Sequence, residues 1–143
     1  MKNIFLLMIS MSFIFGTSAC SQASADGQSS RETIAATEKV DVYYFHFTRR
    51  CVTCVSVQEA TEKVLKEHYG KEIENGKIVF HEINLSDPGS KEIAQMLEVG
   101  GQALLVVSGS KKVDITVQGF MHAPRDYDRF KNILDSAISD AKT

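Results

Sequence analysis

Residues 40–47 alternate so that Val42, Tyr44 and His46 fall on one face and Tyr43, Phe45 and Phe47 on the other. Large side chains on both faces predict a central strand covered from both sides. From 52 to 69 the period changes: Val57, Ala60, Thr61, Val64, Leu65 and His68 recur at helical spacing, with Glu59/Lys63 and Glu62/Lys66 as i,i+4 pairs on the outer face. That pattern predicts an amphipathic helix ended by Gly70. Asn75-Gly76 marks a turn, and 77–85 (KIVFHEINL) reads as a second strand. Ser86-Asp87-Pro88-Gly89 closes it, with Asp87 placed to cap a helix and Pro88 at the first helical position. That short helix carries Ile93, Ala94, Met96 and Leu97 and runs into Gly100-Gly101. Strands over 103–107 and 112–117 flank Ser108-Gly109-Ser110, a connection short enough for an antiparallel hairpin. Gly119 breaks the pattern, and a last helix from about Pro124 carries Tyr127, Phe130, Leu134, Ala137 and Ile138 on one stripe. The order β-α-β-α-β-β-α predicts an α/β fold, a four-stranded mixed sheet in a three-layer sandwich.

The N-terminal stretch follows neither period. Lys2 precedes an apolar run over 4–15, and Thr17-Ser18-Ala19-Cys20 follows. The run is short of the ~20 residues of a membrane span, so it reads as an export signal. Small residues before Cys20 resemble the bacterial lipobox, in which the cysteine is lipidated and becomes the mature N-terminus; Thr17 stands where an aliphatic residue is usual. The expected organisation is a signal peptide over 1–19, a tether over 20–37 rich in Ser, Ala, Gln and Thr, and a folded domain over 38–143. The expected location is the bacterial cell envelope, with the domain held to the membrane by a lipid on Cys20 and facing the periplasm or exterior. Ser21 behind that cysteine resembles lipoproteins sent on to an outer membrane. The alternative is cleavage after Ala25, at Ala23-Ser24-Ala25, which releases a soluble periplasmic protein without Cys20.

Composition changes this picture little. The chain has 143 residues, 43% hydrophobic, no Trp and a formal net charge of -2. That is room for one domain, and interspersed charges give no case for a nucleic-acid partner. Cysteine usage is more telling. With Cys20 lipidated or removed, the domain holds only Cys51 and Cys54. So small a loop removes little unfolded-state entropy, which makes a purely structural staple a weak reason for the pair. In an oxidising compartment the pair can persist as a disulfide and needs a reductant to cycle.

Cys51-Val52-Thr53-Cys54 sits where the first strand gives way to the first helix. Unpaired N–H groups and partial positive charge at a helix N-terminus lower the pKa of a thiol placed there. Arg50, next to Cys51, is a candidate for further stabilising its thiolate, since a unit charge at 4 Å contributes about 1 kcal/mol in water. Arg49 reads equally well as a solvated strand-end charge. His46, His68, His81 and His122 are scattered, and one C-x-x-C without a second ligand pair falls short of a tetrahedral zinc site, so no metal centre is expected. His46 and His122 are the histidines the topology can bring toward the cysteines, with core packing the alternative. Met96 and Met121 read as gap-fillers. Two thiols can also grip a soft metal or metalloid, which keeps a binding protein as a rival function. An inert interaction module is a third.

The strand, C-x-x-C and helix, in this element order, resemble the thioredoxin-like superfamily over residues 38–141. The turn at 84–87, Gly101 before the third strand and Gly119 support the likeness. The resemblance implies that Cys51 is the exposed nucleophile, that Cys54 is the buried resolving thiol, and that Val52 and Thr53 tune the potential. It implies a thiol–disulfide oxidoreductase that meets partner-protein thiols or disulfides and an unidentified electron donor or acceptor; with the leader and Cys20, the expected protein is an exported, membrane-anchored one. The family's Trp before the first cysteine is Arg50 here, and its buried acid, six residues before that cysteine, falls on Phe45. Its cis X-Pro opposite the disulfide falls on Gln102-Ala103. A non-proline cis bond costs about 2.5–4 kcal/mol, so a trans peptide and an altered substrate groove at Val52, Thr53, Gln102 and Ala103 are expected. The string over 43–54 is also similar to small exported thioredoxin-like proteins labelled as a subunit of a nitrophenyl compound nitroreductase. The chain carries no Gly-rich fingerprint for flavin or nicotinamide, so no cofactor is expected, and any role in nitroreduction is to pass electrons to or from a partner.

Overall fold

The computed structural model describes residues 39–143; the leader, Cys20, the tether and the alternative cleavage point after Ala25 lie outside them. The elements are β1 (Val40–His46), α1 (Val52–His68), α2 (Gly70–Glu74), β2 (Ile78–Asn84), α3 (Ser90–Met96), β3 (Ala103–Ser108), β4 (Lys111–Asp114), α4 (Thr116–His122) and α5 (Tyr127–Lys142). Among the described residues no helix is long and apolar enough to cross a membrane.

The alternation along β1 becomes a central strand, as expected. The four-stranded sheet has the order β2-β1-β3-β4. Strand β1 runs parallel to β2, from Val40 opposite Ile78 to His46 opposite Asn84, and antiparallel to β3, with Phe45 opposite Ala103. On one face Val40, Val42 and Tyr44 join Val57, Val64 and Leu65 of α1 and Phe130, Leu134 and Ile138 of α5 in the larger core. On the other, Phe45 packs with Ala94 of α3, Ala103 and Leu105. Two apolar clusters on opposite faces of one sheet make the three-layer sandwich, since each helix must bury its stripe against a sheet face. The chain has the minimal thioredoxin-like arrangement, enlarged by α2 and α4.

Several boundaries differ from the sequence expectation. Phe47 lies beyond the end of β1 and is 40% exposed. Tyr69 closes α1 through its N–H to the Leu65 carbonyl, and Gly70 opens α2 instead of ending the chain's helical run. His68 is exposed, just past the last buried turn of α1. Neither Glu59/Lys63 nor Glu62/Lys66 forms an ion pair among the described residues; Lys63 lies over the Tyr127 ring, 4.2 Å from its centroid, and Glu62 accepts from Gln58. Asp87 does not cap α3. Gly89 is its N-cap, Pro88 lies outside the helix, and Asp87 instead takes Ser90 N–H and Oγ on its carbonyl and Asn84 Nδ2 on Oδ1. Met96 and Met121 are 68% and 56% exposed, so they fill no core gap.

The largest difference is at residues 115–122. The fourth strand stops at Asp114 and a helix follows where strand was expected to Val117. Thr116 explains the break: its N–H donates to Asp114 Oδ1 at 2.8 Å and its Oγ1 accepts from Leu104 N–H at 2.9 Å. The Leu104 carbonyl takes Ile115 N–H at 3.0 Å. A side chain and one backbone group thus satisfy β3 where a longer β4 would have. Gly119, buried within α4, lets this helix approach the core: a Cβ there would lie 3.2 Å from Leu104 Cδ2. Helix α5 then starts at Tyr127, later than Pro124, capped by Asp126 Oδ1 accepting from Arg129 N–H at 3.0 Å.

Candidate functional site

Cys51 is the N-cap of α1, with extended backbone (φ -82°, ψ 167°), and its Sγ accepts from Cys54 N–H at 3.4 Å. The sulfur takes the place that an Asp or Ser oxygen occupies at most helix starts, where N–H groups have no intrahelical partner. One turn of helix brings the two thiols together, with Sγ atoms 2.6 Å apart and both cysteines free. Their surroundings are opposite. Cys51 is exposed, and Cys54 is 1% exposed beneath it.

That asymmetry extends to their acidity. The Cys54 thiol first, then the Cys54 N–H, draw the Cys51 thiol below its ordinary value, with Thr53 N–H adding to them. Burial first, then the Cys51 thiol, push Cys54 up. Cys51 is therefore the thiol that reaches its nucleophilic form more readily.

The sheet beneath the pair supplies two buried polar side chains. Tyr44, fully buried, donates its hydroxyl to the Cys54 carbonyl at 2.6 Å, and burial pushes its phenol up to about 12. Phe45, six residues before Cys51, faces the α3 layer, so the residues turned toward α1 are Tyr44 and His46. A hydroxyl on the carbonyl of Cys54 thus stands on this face. Tyr44 was discoverable in sequence through its face, since a buried tyrosine hydroxyl needs a partner. His46, 4% exposed, has Nδ1 3.0 Å from the Phe47 carbonyl and Nε2 2.9 Å from Glu82 Oε1.

Arg50 belongs to the same polar cluster. Its Nη1 lies 3.1 Å from Glu82 Oε1 and also contacts Gln58 Oε1. Gln58 Nε2 in turn donates to Glu62 Oε1 at 2.8 Å and Glu82 Oε2 at 3.0 Å. The guanidinium is engaged by β2 and α1, and the groups that lower Cys51 are Cys54 and the helix N–H groups. Glu82 and Gln58 were not singled out in sequence: Glu82 stands opposite Tyr44 only through the parallel register of β2, and no local pattern marks it.

Of the other expected site residues, Val52 is 83% exposed at the rim of the motif, Thr53 is half-buried, and Gln102 and Ala103 lie at the entry to β3. The structure brings Gln102 to the pair: its Oε1 accepts from Cys54 Sγ at 3.5 Å. No peptide bond among the described residues is cis, so Gln102-Ala103 is trans. An open groove of about 540 Å³, lined by Gly100, Gly101, Gln102, Lys112, Thr116 and Val117, begins beside Gln102. Phe47 and Val55, 40% and 39% exposed, add apolar surface. His81 lies apart, 2.6 Å from Asp41 Oδ1 and stacked on Tyr43. Among the described residues no group of three or more His, Cys, Asp and Glu side chains is placed to hold a metal ion.

The chain matches no protein-family model and no curated protein.

Proposed function

We propose that this chain is a thiol–disulfide exchange protein in which Cys51 attacks and Cys54 resolves. The observation that carries this is the asymmetry of the pair: one exposed thiol with lowered pKa, in contact with one buried thiol with raised pKa. In the reducing direction, Cys51 thiolate attacks a partner disulfide R–S–S–R′, forming Cys51–S–S–R and releasing R′S⁻, which takes a proton from solvent. Cys54 then loses its proton to solvent and attacks Cys51 Sγ; the bond to R breaks and RS⁻ leaves. Two electrons pass to the partner and a Cys51–Cys54 disulfide remains for a dithiol donor to reduce. The same steps reversed oxidise a partner dithiol.

Capture of a soft ion draws on two accessible thiolates. The burial of Cys54 favours exchange over such capture. The exposed Val52 and Val55 around Cys51 suit a partner protein more than a free small thiol, and Gln102 and Ala103 border the groove in which its chain would lie. The first twenty residues support export and a lipid anchor on Cys20, which would place the exchange in the bacterial cell envelope.

Equilibration of the full chain in glutathione buffers of graded potential, with the disulfide counted by thiol alkylation, tests the proposal. A reversible dithiol–disulfide transition is expected, lost in both Cys51→Ser and Cys54→Ser. A pair that stays reduced or oxidised across the whole range would overturn it.

A further inference from the structure

Cys54 is the half of the pair whose chemistry the fold obstructs. It is 1% exposed, and the Tyr44 hydroxyl occupies its carbonyl, not its sulfur. The side chain that reaches this sulfur from outside α1 is Gln102, whose Oε1 accepts from Sγ at 3.5 Å. The position of Gln102 is fixed by the sheet, because the next residue, Ala103, is 7% exposed and pairs with Phe45 of β1.

An amide presents two different ends. Its oxygen can accept the S–H of a neutral thiol, and its nitrogen can donate to a thiolate. The terminal torsion of glutamine is broad and roughly two-fold, so a half-turn exchanges the two ends without moving the backbone. In the structure the oxygen end faces Sγ, the arrangement that suits the neutral thiol.

We propose that Gln102 is a catalytic residue of the resolving step, holding Cys54 Sγ as the thiol through Oε1 and, after a half-turn, as the attacking thiolate through Nε2. This rests on the exchange function proposed above and concerns its second step. Starting from Cys51–S–S–R, Cys54 gives its proton to solvent, its sulfur bonds to Cys51 Sγ, the bond to R breaks, and RS⁻ leaves. Gln102 exchanges neither electrons nor protons. It gives a donor to a charge that would otherwise form in a site nearly closed to water, where an unpaired charge is costly. Leucine at this position would leave the thiolate without that donor. A glutamate carboxylate would repel it. Both changes leave in place the Cys54 and Thr53 N–H groups that favour the Cys51 thiolate.

The test uses the reduced full chain and dithiobisnitrobenzoate, whose aromatic thiol is coloured when released. Attack by Cys51 releases one equivalent and resolution by Cys54 a second, so the two steps appear as separate phases. In Gln102→Leu the second phase should slow tenfold or more, about the cost of one charge-assisted hydrogen bond, and by far more than the first phase changes. Gln102→Glu should slow the second phase further. An unchanged second phase in Gln102→Leu overturns the proposal, as does equal slowing of both phases in both variants, which would make Gln102 structural. Absence of a first phase in the wild type overturns the exchange function itself, and this proposal with it.

Discussion

Tyr44→Phe removes one oxygen from the fully buried face of β1 and with it the 2.6 Å hydrogen bond to the Cys54 carbonyl. The ring stays, so the packing against α1 is kept. The Cys54 carbonyl remains within the helical ladder of α1, so no acceptor is stranded, and the loss is the net worth of a single buried bond, about 0.5–1.5 kcal/mol. For a domain of this size that lowers Tm by about 4 °C for each kcal/mol. Tyr44→Ala opens a cavity as well and should cost about 3–5 kcal/mol. The hydroxyl also leaves a signature in alkali. The folded phenol is pushed up to about 12 from an ordinary 10.0. The unfolded chain therefore loses its proton first, so this contribution is full below about pH 10 and declines as pH rises toward 12. Urea unfolding of the reduced protein at neutral pH and at pH 9.5–11 measures both effects, and Tyr44→Phe should be less stable at neutral pH and decline less steeply in alkali. Stability equal to wild type at neutral pH, or a cost as large as that of Tyr44→Ala, would refute this role for the hydroxyl.

Other perturbations test separate parts of the site. Because the Cys54 thiol is the largest influence lowering Cys51, Cys54→Ala should raise the midpoint of Cys51 alkylation by iodoacetamide against pH, while the helix N–H groups keep it from rising further. In Cys51→Ser, alkylation of Cys54 should be slow and should need higher pH, since its thiol is buried and pushed up. Glu82→Ala leaves the buried His46 Nε2 and the Arg50 guanidinium without their shared carboxylate. It should cost about 1–3 kcal/mol in urea unfolding, whereas Arg50→Ala, which removes only a partly exposed ion pair and a side-chain contact, should cost about 0–1 kcal/mol. Gly119→Val drives a branched side chain against Leu104, Phe130 and Val57. The same assay should show a loss of about 1–3 kcal/mol from overpacking.

The parts visible in sequence were those whose signal is local. The alternation over 40–46 defined a strand buried on both faces, and the stripe Val57, Ala60, Thr61, Val64 and Leu65 defined the buried side of α1. The position of Cys51 at that junction set a thiol at a helix start, while its exposure above a buried Cys54 was implied only by the thioredoxin-like resemblance. What was missed depends on distant partners. Ile115, Thr116 and Val117 have strong strand preference, yet Thr116 bonds to Leu104 and turns the chain into α4, a tertiary contact overriding local propensity. Glu82 reaches Arg50 and His46 only because the parallel register sets β2 beside β1, and that register cannot be read from either strand alone. Gln102 was placed opposite the cysteines, but its contact with Cys54 rather than Cys51 appears only once Cys54 is seen beneath the helix start.

The division of labour between an exposed nucleophile and a buried resolving thiol is tested most directly by mass spectrometry of the reduced full chain after brief exposure to oxidised glutathione. Wild type should pass through a transient glutathione adduct and end as the Cys51–Cys54 disulfide. Cys54→Ser should stop at a stable adduct on Cys51, and Cys51→Ser should react slowly. Stable adducts on both cysteines of the wild type without an internal disulfide, or preferential attack by Cys54, would contradict it.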